Sequence, residues 1–151
     1  MKSDKAIVSI LREQINSYKI LLELLKDERT SLVNIDAGSI ESISKKKDTV
    51  VMRLRLLEEE RQRLLTEFAT DLDLDSDISL HELGKLTKNT QIPELRSQLI
   101  SLLQSIEEMN TFNSVLIDRS LQQVRTSSGF FKSFFNESAP PNTGVLLSKE
   151  S

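Results

Sequence analysis

This 151-residue chain contains no cysteine and little glycine, proline or aromatic residue. Without cysteine, neither a disulfide framework nor a thiolate metal site can form. Four glycines and three prolines are too few for the turns of a β-rich domain, and an aromatic content of 5% is low for strands. These absences favour long helices, rich in the Leu, Glu, Lys, Arg and Gln that the chain does contain.

Long hydrophobic runs are missing as well. No stretch approaches the 18 or so apolar residues of a membrane span, and the start, MKSDKAIVSILREQ, has too short an apolar run for a signal peptide. The formal net charge of −3 gives no reason to expect a nucleic-acid partner. We therefore expect a cytoplasmic all-α protein that neither binds nucleic acid nor inserts into a membrane.

Three long helices are predicted by apolar residues that recur at alternating intervals of three and four. The helices span about residues 3–35, 39–70 and 93–126, and a short connector helix is expected at 79–88. The first two are separated by so few residues that they must pack as an antiparallel hairpin. The prediction is an elongated antiparallel three-helix bundle, coiled-coil-like, formed by residues 1–126.

Details of the first two helices follow from single residues. Gly38 is the expected turn residue and Ser39 the expected N-cap of the second helix. Lys47 and Arg61 interrupt the apolar seam of the second helix, where apolar residues occupy seven of nine positions. We expect both to reach the solvent or to pair with glutamates opposite, and so to specify the register of the bundle.

The connector contains the nearest approach to a catalytic or metal motif. Residues 71–82 have aspartates at alternating positions, as in the calcium loop of an EF-hand, but Ser76 stands where the loop requires glycine. Glu82 is explained equally well by a capping box with Ser79. His81, the only histidine, has no nucleophile motif nearby. We favour a solvated acidic hinge over a calcium site, and expect no enzyme, no metal and no cofactor.

The C-terminal region concentrates the aromatic residues of the chain. Four of the six phenylalanines lie within residues 127–144, SSGFFKSFFNESAPPNTG, and would share an arc of about 140° on a helix. Their burial would gain about 6–12 kcal/mol. Ordering ten residues would cost about 10–20 kcal/mol. We therefore expect residues 127–151 to form a flexible tail that orders only on a receptive surface.

Two surfaces can receive this tail, and the sequence leaves both open. The tail can fold back over a displaced apolar stripe at the end of the third helix, or it can dock on a partner as an amphipathic helix in a groove. The residues of the stripe and the tail are the candidate partner-binding residues: Ile117, Leu121, Val124, Phe130, Phe131, Phe134 and Phe135.

Four segments of the chain, taken in order, form one pattern. The first has Tyr18 followed by LLELL at 21–25, Glu28-Arg29 and Leu32, and the second has Lys47, Leu54, Leu57-Glu58, Arg61 and Leu64-Leu65. The third is ISLHEL at 78–83 and the fourth is NTFN at 110–113. In this order they resemble the first helix, the second helix and two later segments of the FlgN-type flagellar export chaperones. The resemblance covers about residues 7–125.

The resemblance implies a cytoplasmic chaperone of flagellar type III secretion. Such a chaperone binds the C-terminal helices of hook-associated proteins, prevents their early assembly and delivers them to the export gate and the export ATPase complex. The family's C-terminal region binds the substrate and often carries a tyrosine for the gate, whereas the only tyrosine here is Tyr18. From the residues alone, a structural coiled-coil oligomer or an adaptor without a secretion role stays open.

Overall fold

A computed structural model describes residues 2–74 and 78–135, with side chains described for 4–74 and 78–121. The described chain is helical and contains no strand. The prediction of an all-α bundle with a short connector helix is therefore confirmed. The helices are α1 (Lys2–Val33), α2 (Ala37–Asp71), α3 (Leu80–Thr87) and α4 (Gln91–Phe135).

Helix α1 is the central rod of the bundle, and α2 packs antiparallel to it. The Gln14 carboxamide donates to Glu58 Oε2 over 2.9 Å, while Lys47 Nζ donates to Glu28 Oε2 over 2.7 Å. A later residue of α1, Glu28, thus pairs with an earlier residue of α2, Lys47, which shows that the two helices run antiparallel. The pairing of Lys47 with a glutamate opposite is confirmed, whereas Arg61 pairs with Glu58 of its own helix.

Helix α4 packs along a different side of α1 and runs parallel to it. Asn89, just before α4, donates to Asp4 Oδ2 over 3.2 Å, and Asn113 donates to the Leu25 carbonyl over 2.9 Å. The backbones of α2 and α4 hardly approach each other, because each packs against α1. The bundle therefore has an opening between α2 and α4.

Two apolar clusters form the core. The larger lies where α3 and the connector close the bundle around the N-terminal half of α1, and there Gly84 lets α3 approach Pro93 closely. The smaller lies farther along α1 and consists of Leu21, Leu25, Leu54 and Ile106. The larger cluster contains Ile7, Val8, Leu11, Ile15, Leu64, Leu65, Phe68, Ala69, Ile78, Leu83, Ile92, Leu95 and Leu99.

The start of α2 differs from the prediction. Asp36, not Ser39, is the N-cap: its carboxylate accepts hydrogen bonds from the Ser39 amide (3.2 Å) and the Ser39 hydroxyl (2.7 Å). Aspartate caps a helix as well as serine does, so α2 begins before the expected position. The left-handed turn residue is Ile35, with φ 54°, whereas Gly38 lies inside the first turn of α2.

Helix α3 begins as predicted, with Ser79 Oγ accepting from the Glu82 amide over 3.1 Å. Helix α4 begins at Gln91 and places Pro93 within its first turn, where a backbone N–H has no helical partner. The helix end predicted near Thr126 is wrong, because α4 continues to Phe135. A single glycine such as Gly129 costs a helix only about 1 kcal/mol, and extending an existing helix requires no new nucleation.

Candidate partner-binding surface

The C-terminal end of α4 extends beyond the hairpin formed by α1 and α2. Asn113 bonds to Leu25 and to Glu28, 88 and 85 residues earlier, and this offset places Val33, the end of α1, beside residues 118–121. The remaining 14 residues of α4 span about 21 Å. We call this segment, residues 122–135, the overhang. Neither α1 nor α2 continues beside it.

The face of α4 that packs on α1 continues into the overhang. Ile106 is 7% exposed and belongs to the core between α1 and α4. At 100° per residue, Ile117, Val124, Phe131 and Phe135 occupy positions within about 20° of Ile106 on the helix. The stripe that was expected to be displaced is therefore a continuation of the core-facing stripe, and it runs past the end of α1.

The remaining candidate residues flank this stripe. Leu121 lies about 60° from Ile106 on one side, while Phe134 and Phe130 lie about 80° and 120° away on the other. Ile117 and Leu121 are partly buried; Val124 and the four phenylalanines belong to α4, but their side chains lie outside the described set. All seven predicted binding residues thus belong to one continuous helix, over about 27 Å.

Fold-back of the phenylalanines onto their own helix is not what the structure shows. Phe130 and Phe135 stand on the same rod as Ile117 and Leu121, and the backbone does not turn between them. Within the described backbone, the phenylalanine positions therefore do not fold back over the stripe. The rest of the predicted tail, residues 136–151, lies outside the described residues, so both receiving surfaces stay predictions.

A buried polar cluster, not anticipated as a unit from the sequence, ties the three long helices together just before the overhang. Glu28, on α1, accepts from Lys47 of α2 over 2.7 Å and from the Asn113 carboxamide of α4 over 2.9 Å. The side chains of Glu28 and Lys47 are 6% and 13% exposed, and Asn113 is 1% exposed. In the sequence, this cluster is signalled by Lys47 and Asn113, which are polar residues at positions of α2 and α4 where the seam is otherwise apolar.

An apolar groove lies between α2 and α4, with α1 as its floor. Its volume is about 340 Å³, and we call it the α2–α4 groove. Tyr18, Arg55, Glu58, Arg61 and Asn110 are its more polar lining residues. The apolar lining comprises Leu21, Leu25, Val51, Leu54, Leu103 and Ile106.

The electrostatics of this groove depend on Glu58. Burial opposes ionisation of its carboxyl group, but hydrogen bonds from Arg61, Gln62 and Gln14 outweigh that effect and lower the Glu58 pKa below its ordinary value of 4.5. Burial raises the pKa of the Tyr18 hydroxyl, and the nearby Glu58 carboxylate acts in the same direction. Glu58 is therefore ionised and Tyr18 neutral at neutral pH.

No set of three acidic or histidine side chains converges in the part of the chain that the structure describes. The acidic hinge falls partly outside that part, because residues 75–77 are not described. Ser79 and Glu82 form the start of α3, as the capping-box interpretation predicts. For residues 71–82, the solvated acidic hinge without a bound calcium ion therefore stays a sequence prediction.

Comparison with known families decides which class of protein this arrangement belongs to. The family described as FlgN protein matches residues 1–140, which include all four helices. The chain belongs to the FlgN family. No curated protein and no solved structure matches the chain significantly.

FlgN proteins are flagellar export chaperones, and they bind flagellar substrate proteins without being an enzyme family. The resemblance found in the sequence is thereby confirmed. No helix among the described residues has the length and apolar character needed to cross a membrane. The helical bundle, the overhang and the α2–α4 groove are therefore features of a FlgN-family chaperone.

Proposed function

We propose that this FlgN-family protein binds the C-terminal helical segments of hook-associated flagellar subunits in the cytoplasm. By covering these segments it prevents premature assembly, and it then delivers the subunits to the flagellar export gate and the export ATPase complex. Family membership supports the chaperone role, while the choice of subunit and the delivery step are the proposal.

The observation that carries the proposal is the continuation of the α4 stripe past the ends of α1 and α2. Up to about Leu121 this face of α4 packs beside α1, and beyond that point α1 and α2 have both ended. Val124, Phe131 and Phe135 continue the same face. An amphipathic helix supplied by another protein can pack there as α1 packs on the earlier part of α4.

A helical partner explains why the phenylalanines are concentrated in the overhang. Large aromatic side chains at the centre of an interface contribute most of its binding energy. The overhang is already helical, so binding requires less ordering of the chaperone than an unstructured tail would require. The proposed binding residues are Ile117, Leu121, Val124, Phe130, Phe131, Phe134 and Phe135.

The proposal is tested by co-purification from a flagellated native cytoplasm. The full chain should retain hook-associated subunits, and a variant with the four overhang phenylalanines (130, 131, 134 and 135) changed to alanine should lose them. Phe112→Ala is the matched control, because Phe112 is a half-exposed phenylalanine of α4 outside the overhang. Equal retention by wild type and the fourfold variant would show that the overhang is not the binding surface.

A further inference from the structure

We propose that the α2–α4 groove is a second docking site, which receives one end of an amphipathic helix of the bound subunit. The occupant presents two large apolar side chains about one turn apart and a carboxylate or carboxamide next to them. This inference rests on the proposed function, since it assigns the groove to the same partner that the overhang binds.

The shape of the groove sets the size of the occupant. A cavity of about 150 Å³ accepts a benzene ring, so the groove volume of about 340 Å³ corresponds to roughly two ring-sized groups. On α1, the floor runs from Tyr18 to Leu25, a distance of about 11 Å or two helical turns. Two apolar side chains spaced by one turn of a helix fit these dimensions.

The chemistry of the groove selects a mixed ligand. Its floor and walls are apolar, with Leu54 and Ile106 as buried residues, so an apolar side chain would be removed from water there. On the α2 wall, Arg61 Nε is buried and has no hydrogen-bond partner among the residues that the structure describes, although the guanidinium group of the same residue pairs with Glu58. A buried N–H of this kind is costly unless an acceptor reaches it, and a carboxylate or carboxamide oxygen supplies one.

The position of the groove is consistent with a single partner helix. Leu103, Ile106 and Asn110 line the groove from α4. At 100° per residue, Leu121 lies on the same side of α4 as Leu103, and Phe135 lies within about 40° of it. One helix lying along α4 can therefore contact the overhang with one part and the groove with another.

The chain's own C-terminus is a poorer occupant. Its remaining large apolar residues are Val145, Leu146 and Leu147. Asn110 is the groove residue on α4 that lies nearest the overhang, and it is 25 residues from Phe135, which is about 38 Å of helix. The 12 residues from Phe135 to Leu147 span at most about 43 Å when fully extended, so they reach only the edge of the groove and cannot also fold along its floor.

The lone tyrosine makes groove occupancy measurable. Tyr18 lines the groove and is the only tyrosine of a chain without tryptophan, so the intrinsic fluorescence of the protein reports on this site alone. The probe is a synthetic peptide with the C-terminal 40 or so residues of a hook-associated protein, its tyrosines and tryptophans replaced by phenylalanine. We expect Tyr18 emission to change saturably as this peptide is added. The dissociation constant from the emission should equal the one that isothermal titration calorimetry gives for the same peptide.

Two variants test the walls of the groove. Val51→Phe fills the groove from a partly buried position, whereas Met52→Phe, the control, adds the same ring at a 64% exposed position on the next residue. We expect Val51→Phe to weaken peptide binding at least tenfold and Met52→Phe to leave it unchanged. Arg61→Lys, which keeps the charge beside Glu58 but removes the Nε donor, should weaken binding about tenfold. Unaltered helicity and melting temperature of each variant show that it is folded.

The outcomes separate this inference from the proposed function. If the fourfold phenylalanine variant loses the peptide while Val51→Phe and Met52→Phe bind it equally, the overhang binds the subunit and the groove does not. If wild type binds no hook-associated peptide, the proposed function and the inference both fail. A Tyr18 signal that changes with protein concentration alone, or on replacing Leu146 and Leu147 with serine, would identify a second copy or the chain's own terminus as the occupant and overturn the inference.

Discussion

Replacing Lys47 with methionine should destabilise the bundle strongly, because it leaves the Glu28 carboxylate without its cation. The Glu28 side chain is 6% exposed, and Lys47 Nζ lies 2.7 Å from its Oε2. Removing one partner of a buried ion pair costs about 3–5 kcal/mol. Asn113 still donates to Glu28 Oε1, so we expect the lower end, about 3 kcal/mol.

A loss of this size is a large part of the total stability of about 5–15 kcal/mol expected for a domain. Urea unfolding followed by circular dichroism at 222 nm measures it. With an m value of about 2 kcal/mol/M, the midpoint should fall by about 1.5 M. The matched control is Lys45→Met on the same helix. Lys45 Nζ lies 3.7 Å from Glu41 Oε1, but both side chains are well exposed, so this ion pair contributes little to stability.

A double variant distinguishes a buried charge from a packing effect. Changing both Glu28 and Lys47 to methionine removes both charges, so the free energy of unfolding should recover towards that of wild type. Two results would refute the reasoning. One is a Lys47→Met variant as stable as Lys45→Met, and the other is a double variant less stable than Lys47→Met alone.

Three further predictions concern single residues. Ile35→Gly should leave stability unchanged or raise it by up to about 1 kcal/mol, because Ile35 is 74% exposed and its φ of 54° is strained for a β-branched residue but not for glycine. A clear loss of stability in chemical denaturation would contradict this. The folded pKa of Glu58 lies below 4.5, so the stabilisation by its ionised carboxylate is present above that pH and is lost on acidification. Glu58→Gln should therefore lower the melting temperature more at pH 7 than at pH 3.5. Equal effects of the substitution at both pH values would exclude this role of Glu58. Ser79→Ala should lower the free energy of unfolding by about 1 kcal/mol, because it removes the N-cap of α3. Urea unfolding measures this loss, with Ser76→Ala as the control, and no change would show that the cap is dispensable.

The periodic part of the fold was predictable because it depends on local spacing. Apolar residues at intervals of three and four predict each long helix, and the short turn dictates the antiparallel hairpin. The Ser79 cap followed from an equally local pattern. Lys47 was expected either to reach the solvent or to pair with a glutamate opposite, and it pairs with Glu28. The helices and the cap require only that a helix place neighbouring turns on one face.

Features that depend on competition between two local solutions were not predictable. Asp36 and Ser39 are both good N-caps, and the structure uses Asp36, so the turn falls on Ile35 instead of Gly38. The end of α4 was predicted too early, because a long preceding helix continues through Gly129 at a cost of only about 1 kcal/mol. The α2–α4 groove depends on how α2 and α4 are spaced around α1, which no single seam encodes.

Binding of a hook-associated C-terminal helix to the overhang is tested most directly by isothermal titration calorimetry. The full chain is titrated with the C-terminal 40 or so residues of hook-associated proteins from the same organism, in parallel with the fourfold phenylalanine variant and with Phe112→Ala. We expect saturable heat with wild type and Phe112→Ala, and none with the fourfold variant. Absence of heat with wild type, or equal affinity of all three proteins, would contradict the proposed binding surface.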